Sequence, residues 1–194
     1  MQLLCHRVEA PIGPIWLVSD GEALCALEFA DHKTRLLQLL HRYYGTCGLR
    51  EDRAAARWSG CIGAYFEGDL MALDSIAVRM TGSAFQLRVW AALRRIPVGT
   101  TTTYGQLAAQ IGRPSAARAV GLANGANPLA IVVPCHRVIG ADGSLTGYGG
   151  GLARKAWLLR HERAAVGAEG ASRSPNTRDD ANTSWPEGGW TSSA

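Results

Sequence analysis

At 194 residues the chain can hold one ordinary domain or two small ones sharing an interface, and a hydrophobic content of 47% suits a packed globule. No apolar run approaches the ~20 residues needed to span a bilayer, Met1–Arg7 lacks a signal-peptide layout, and five scattered cysteines with no C-x-x-C pair argue against a disulfide framework and for a reducing, cytoplasmic setting. The net charge of +4 is modest, yet Ser75 to Ala141 holds no Asp or Glu while Arg79, Arg88, Arg94, Arg95, Arg113, Arg118 and Arg137 all fall within it. Such a one-signed block suits a polyanion, nucleic acid above all, or an arginine-rich solvated surface, and charge alone does not separate the two.

In chain order, residues 1–80 read as a small α/β structural unit. Leu3 to Val8, Ile15 to Ser19 and Leu24 to Phe29 are short strand-like runs, parted by the turn signals Pro11-Ile12-Gly13-Pro14 and Asp20-Gly21. Helices are predicted over Thr34 to Tyr44 and Ala54 to Phe66, the second placing Trp58, Ile62, Tyr65 and Phe66 near one face. No residue of this unit reads as catalytic.

From Thr81 the pattern changes. Ser83-x-x-Gln86 has the form of a capping box, and Phe85, Val89, Ala92, Leu93 and Ile96 make a helical stripe that Pro97 stops. A second box, Thr103-x-x-Gln106, opens a short helix. Gly112-Arg113 turn the chain, and Pro114 suits the first position of the next helix, which runs to Asn124. Two short helices about a tight turn predict a helix-turn-helix. The second helix is slim, with Ser115, Ala116, Ala117, Ala119, Gly121 and Ala123. Its small residues either pack on the core or allow close approach to another surface, and Arg118 in its middle keeps the second reading open.

The apolar run Leu129 to Val133 predicts a buried strand that delivers Pro134-Cys135-His136-Arg137 to a rigid corner. A helix-like segment containing Glu162 follows downstream. A thiol near its ordinary pKa of ~8.5 is only a few per cent thiolate at neutral pH, so a nucleophile needs a base and a group to orient that base. Cys135, His136 and Glu162 offer this set; adjacency makes a direct thiol–imidazole contact awkward, and one intervening water solves it. A buried cysteine can equally be inert. Residues 164–194 turn poor in branched apolar side chains and read as a disordered tail.

Ile131-Val132-Val133-Pro134-Cys135-His136-Arg137-Val138-Ile139-Gly140 resembles the active-site signature of the O6-alkylguanine-DNA alkyltransferases, the methylated-DNA–protein-cysteine methyltransferases. Thr103-Tyr104-Gly105-Gln106, Ala116-Ala117-Arg118-Ala119-Val120-Gly121, Gly125-Ala126-Asn127-Pro128, Leu145-Thr146-Gly147-Tyr148-Gly149 and Trp157 to Glu162 follow in family order. The resemblance is continuous over residues 81–163 and weaker before them. It implies an α+β fold: a small N-terminal sheet-plus-helix unit of RNase H-like form, then a winged helix-turn-helix-like domain over 81–163.

The resemblance also implies roles. Cys135 is the alkyl acceptor, His136 reaches it through a water, Glu162 orients His136, Asn127 braces the turn holding the cysteine, and Tyr104 helps expel the base and supplies a proton. Arg118 fills the hole left in the duplex, with Ser115, Ala117, Asn124 and Tyr104 beside it on the DNA. Pro134, Val138, Tyr148 and Gly149 line the base pocket. The implied activity is single-turnover methylated-DNA–protein-cysteine S-methyltransfer in DNA repair. The partner is double-stranded DNA carrying O6-alkylguanine, met from the minor groove by a monomer without membrane association. No cofactor is implied, and the glycines at 147–151 match neither a dinucleotide nor a P-loop fingerprint.

Gly149 departs from relatives that carry serine there, which leaves pocket breadth open. Cys5 and Cys25 do not match the zinc ligands of some family members, so no metal is expected. The alternatives from other classes are a non-repairing lesion sensor, whose relatives replace the nucleophile, a cysteine hydrolase, and a plain transcription factor. The last leaves Pro134-Cys135-His136-Arg137 without a role.

Overall fold

The computed structural model describes residues 1–171. Strands β1 (Gln2–Val8), β2 (Ile15–Ser19) and β3 (Leu24–Phe29) lie where the turn signals bracket them, and β4 (Gly48–Glu51) completes a sheet of order β3-β2-β1-β4. Within it, β1 pairs antiparallel with β2 and parallel with β4. Alternation sorts the side chains. Leu3, Cys5, Val18 and Cys25 pack against Leu36 and Leu40 of helix α1 (Lys33–Tyr44), while Ile15, Leu17, Leu24, Leu27 and Phe29 face the main core.

Every residue of β3 is buried, although β3 ends the sheet. Its outer edge is occupied: Leu24 exchanges hydrogen bonds with Ala77 and Arg79, and Leu27 does so with Pro128 and Ala130. The segment leading to Cys135 is thereby hydrogen-bonded onto the N-terminal sheet, which satisfies an edge that would otherwise be open.

The predicted helix Ala54 to Phe66 is two elements, a 3-10 turn Arg53–Trp58 capped by Asp52 and then α2 (Ser59–Glu67). Both predicted capping boxes are formed. Ser83 and Gln86 open α3 (Ala84–Leu93), and Thr103 and Gln106 open α4 (Tyr104–Gln110). Pro114 starts a 3-10 turn that leads into α5 (Ala117–Gly125). Trp90 of α3 is fully buried and donates its indole N–H to the carbonyl of Ala123, locking α3 to α5.

Leu129 to Val133 is not a strand. After one bridge to Leu27 the chain turns, with Val132 N–H on Ala130 O and Val133 N–H on Leu129 O. A short continuous apolar run is equally compatible with a buried turn, because it has no period to choose by. Ile131 sits at φ 69°, where a β-branched residue is strained, and it is held there by near-complete burial. Cys135–Arg137 form a 3-10 turn, and β6 (Val138–Ile139) pairs parallel with β5 (Thr102–Thr103).

Helix α6 (Leu152–Ala171) runs past residue 163, where the predicted tail begins. The remainder of that tail, 172–194, lies outside the described residues. Among the described residues no helix is long and apolar enough to cross a membrane.

Candidate active site

Three elements converge on the corner after the turn. The 3-10 turn carries Cys135, His136 and Arg137. Helix α6 brings Glu162, and the end of α5 with the following residues brings Asn124 and Asn127. All six side chains are buried.

Asn127 organises the turn. Its Oδ1 accepts from Leu129 N–H at 3.0 Å, and its Nδ2 donates to Val133 O at 2.8 Å and to Cys135 Sγ at 3.1 Å. The amide thus supplies the polar partners that a neighbouring strand would have supplied, and it also aims one N–H at sulfur. Asn124 donates to Cys135 O at 3.3 Å. It faces inward and is almost fully buried, so it does not belong to the outer face with Arg118 and Ser115, which corrects its expected place on DNA. Its neighbours on the inner face of α5 are Val120 and Ala123.

Glu162 Oε1 lies 2.8 Å from His136 Nε2, and it also accepts from Tyr65 Oη at 3.0 Å and Arg137 Nη2 at 2.9 Å. Arg137 Nε donates to Oε2 at 2.9 Å, completing a bidentate pair, and Nη1 caps Ile96 O at 2.6 Å. Burial raises the Glu162 carboxyl, but the hydrogen bond from His136 and the hydrogen bonds and charge of Arg137 outweigh it and hold the group well below the usual carboxylate range. Since an ionised carboxylate only accepts, His136 must present Nε2–H to it, leaving a bare lone pair on Nδ1. That Nδ1 is buried and has no hydrogen-bond partner among the described residues. Burial pushes the His136 pKa down against the opposing pull of Glu162, so the imidazole is a neutral base.

Burial pushes the Cys135 thiol up, countered by the Asn127 hydrogen bond and by the charges of Arg35 and Lys155. The resting state is therefore a thiol beside a neutral imidazole and an ionised carboxylate. Lys155 is fully buried. It donates from Nζ to Val138 O at 2.5 Å and Thr146 O at 2.6 Å, and burial lowers its pKa to about 8. It joins β6 to the loop that carries Tyr148.

Tyr148 packs edge-on to Phe29 and His136, with ring centroids 6.3 and 6.4 Å away, and its hydroxyl is buried without a partner among the described residues. Pro134 and Val138 are buried on either side of the Cys135–Arg137 turn. Gly149 is half-buried, and a Cβ there would come within 2.8 Å of the Arg35 guanidinium, so an added side chain would have to displace Arg35. Tyr104 begins α4 directly after β5, whose partner β6 directly follows Arg137. Its hydroxyl donates to Thr146 O at 3.3 Å, and its ring lies against Gly121 of α5. Arg118 and Ser115 are exposed and Ala117 is half-buried. The site thus gathers Cys135, His136, Glu162 and Asn127, places Pro134, Val138 and Tyr148 around them, and leaves Arg118 on the outer face of α5.

Sequence reasoning left three residues without roles. Tyr65 is placed only on the apolar face of its predicted helix, and Lys155 and Arg35 carry no reading at all. Arg35 pairs with the buried Glu28 and donates to Gly125 O and Asn127 O, 90 and 92 positions away. Buried Glu28 inside an otherwise apolar strand was the only local sign that a cation must come to meet it.

Residues 3–80 match the model of the 6-O-methylguanine DNA methyltransferase ribonuclease-like domain, and residues 84–164 match that of the same family's DNA binding domain. The methylated-DNA–protein-cysteine methyltransferase of Salmonella typhimurium is 50% identical over 165 residues, covering 84% of this chain and 96% of the relative. That of Mycolicibacterium paratuberculosis is 51% identical over 158 residues, covering 81% and 91%. The crystal structure of Mycobacterium tuberculosis OGT in complex with DNA superposes with a TM-score of 0.70 at 40% identity, covering 85% of this chain and 94% of that one. The chain belongs to the 6-O-methylguanine DNA methyltransferase family.

Proposed function

We propose that this protein repairs DNA by direct reversal, moving the alkyl group of O6-methylguanine, and of O4-methylthymine through the same pocket, irreversibly to Cys135. The observation that carries the reading is the buried relay Glu162–His136 beside a thiol that Asn127 holds at 3.1 Å. The lesion carbon is unreachable inside a duplex, so the nucleotide is flipped out at a cost of a few kcal/mol. Helix α5 enters the minor groove, Arg118 occupies the vacated stack, and Ser115 and Ala117 lie against the strand, offsetting part of that cost. Tyr104 stands beside the path of the rotating base. Pro134, Val138, Tyr148 and Gly149 form the pocket.

The Cys135 proton passes through a water to His136 Nδ1. The sulfur forms a bond to the methyl carbon as the carbon–O6 bond breaks. The electron pair leaves with guanine, which takes a proton delivered from Tyr104. The product thioether is a poor leaving group, so each molecule acts once. The functional division falls near residue 80, with recognition and chemistry in 81–163. The protein works as a monomer in the cytoplasm, where five free thiols persist.

The test is nucleoside analysis of a duplex carrying one O6-methylguanine per molecule after incubation with increasing protein. Guanine restored should plateau at one per protein and be absent with Cys135→Ser. Continued restoration beyond that ratio would overturn the reading, and tight binding without restoration would make the protein a lesion sensor.

A further inference from the structure

Helix α1 turns a basic stripe toward α5. Arg35, Gln38 and Arg42 stand at i, i+3 and i+7, on one face. Together with Leu122 and Gly125 of α5 they line a groove of about 460 Å³ between the two helices. Arg35 is committed to Glu28 and to the carbonyls of Gly125 and Asn127, which ties α1 to the end of α5. Arg42 is exposed, and among the described residues no ion pair or hydrogen bond engages it. Leu122 is 73% exposed, one helical turn beyond Arg118 on the outward face of α5. The groove therefore presents guanidinium and apolar surface side by side, with no carboxylate in its lining.

A sugar–phosphate backbone has that same alternation, with anionic phosphates separated by apolar deoxyribose faces. A helix lying in the minor groove, only ~6 Å wide, has a backbone on each flank. One flank of α5 is occupied by α4 and Tyr104; the other is the α1 groove. We propose that the groove between α1 and α5 seats one sugar–phosphate backbone of the duplex whose minor groove receives α5, which rests on the DNA-repair reading above. Arg42 meets a phosphate, and Leu122 packs on an adjoining deoxyribose. The N-terminal unit is thereby part of the DNA interface, and it reads backbone rather than sequence.

The experiment titrates a fluorescent duplex containing O6-methylguanine with wild type, Arg42→Ala, Arg42→Glu and Arg7→Ala across a salt series. Arg7 lies on β1, is paired with Glu9, and its removal changes net charge equally. Arg42→Ala should lower the slope of log affinity against log salt by about one and weaken binding on damaged and undamaged duplex alike. Arg42→Glu should weaken it further, whereas Arg7→Ala should keep the wild-type slope. All variants should melt at the wild-type temperature. A wild-type slope for Arg42→Ala, while the wild type binds duplex and accepts methyl, would overturn the groove and leave the repair reading standing. Sedimentation showing a dimer that Arg42→Glu dissociates, without any effect on DNA binding, would assign the groove to a second copy of the chain and also overturn it. A wild type that neither binds duplex nor accepts methyl would bring down both.

Discussion

His136 Nε2 stands 2.8 Å from Glu162 Oε1, and neither side chain reaches solvent. The carboxylate fixes the imidazole tautomer, and the tautomer leaves Nδ1 as the proton acceptor. Arg137 and Tyr65 donate to the same carboxylate, so the ionised state of Glu162 is held by three side chains rather than by histidine alone.

Glu162→Gln tests that arrangement. The amide cannot match the Arg137 charge, and removing one partner of a buried ion pair costs about 3–5 kcal/mol. The variant should melt well below wild type, and its single-turnover methyl transfer should slow by at least about a hundredfold. Acid should bring the two proteins closer in stability. The folded carboxyl titrates below its unfolded value, so its contribution is full above the unfolded carboxylate range, near pH ~4.3, and is lost as pH falls from there toward the folded value. The stability gap between wild type and Glu162→Gln should therefore narrow in acid. Equal transfer rates would show that imidazole orientation does not limit the reaction.

The rate of transfer should hold level as pH falls through 6.5. Burial keeps the His136 pKa below the ordinary histidine value, so the base stays neutral there and is lost only at lower pH. Single-turnover rates on a methylated duplex across that range would reveal it. A fall beginning above 6.5 would mean that the imidazole is charged in the resting site.

Tyr65→Phe removes one donor from Glu162 and little volume. A hydrogen bond to a charged group contributes about 1.5–3 kcal/mol, so a loss of that size in thermal or denaturant melts is expected, with transfer slowed only a few-fold because Arg137 and His136 remain. An unchanged melting temperature would place Tyr65 outside the network.

Asn127→Ala leaves Leu129 N–H buried without its acceptor, at about 1–3 kcal/mol, and leaves Val133 O with the Cys135 N–H alone. The fold should be strongly destabilised. The Cys135 thiolate also loses its N–H donor, so reaction of the folded variant with iodoacetamide, measured against pH, should show the thiol ionising at still higher pH. A variant that alkylates with the wild-type pH profile would remove Asn127 from the chemistry and leave it a purely structural brace.

What was legible in the sequence was local. The capping boxes at Ser83 and Thr103 involve residues three apart, and both form as their spacing predicts. The first three strands are bracketed by Gly and Pro turns that decide their own conformation. Cys135, His136 and Glu162 are legible as a nucleophile, base and orienting group, Asn127 only through the resemblance, and the folded chain brings all four together. The turn at 129–133 is not legible because its hydrogen bonds come from its own backbone and from the Asn127 side chain instead of a neighbouring strand, and an apolar run does not announce this. Tyr65, Arg35 and Lys155 escaped for a related reason. Their partners lie 97, 92 and 17 positions away, and nothing in a helical stripe distinguishes a tyrosine in the core from one that touches a carboxylate. Asn124, which the resemblance sets beside Arg118, faces inward with Val120 and Ala123.

The most direct measurement is intact-protein mass followed by peptide mapping, after wild type and Cys135→Ser have each been incubated with a duplex bearing one O6-methylguanine. One added methyl per wild-type molecule, confined to the peptide containing Cys135 and absent from the mutant, is the predicted result. A methyl on another residue, or none on a protein that binds the duplex, would contradict the assignment of Cys135 as the acceptor.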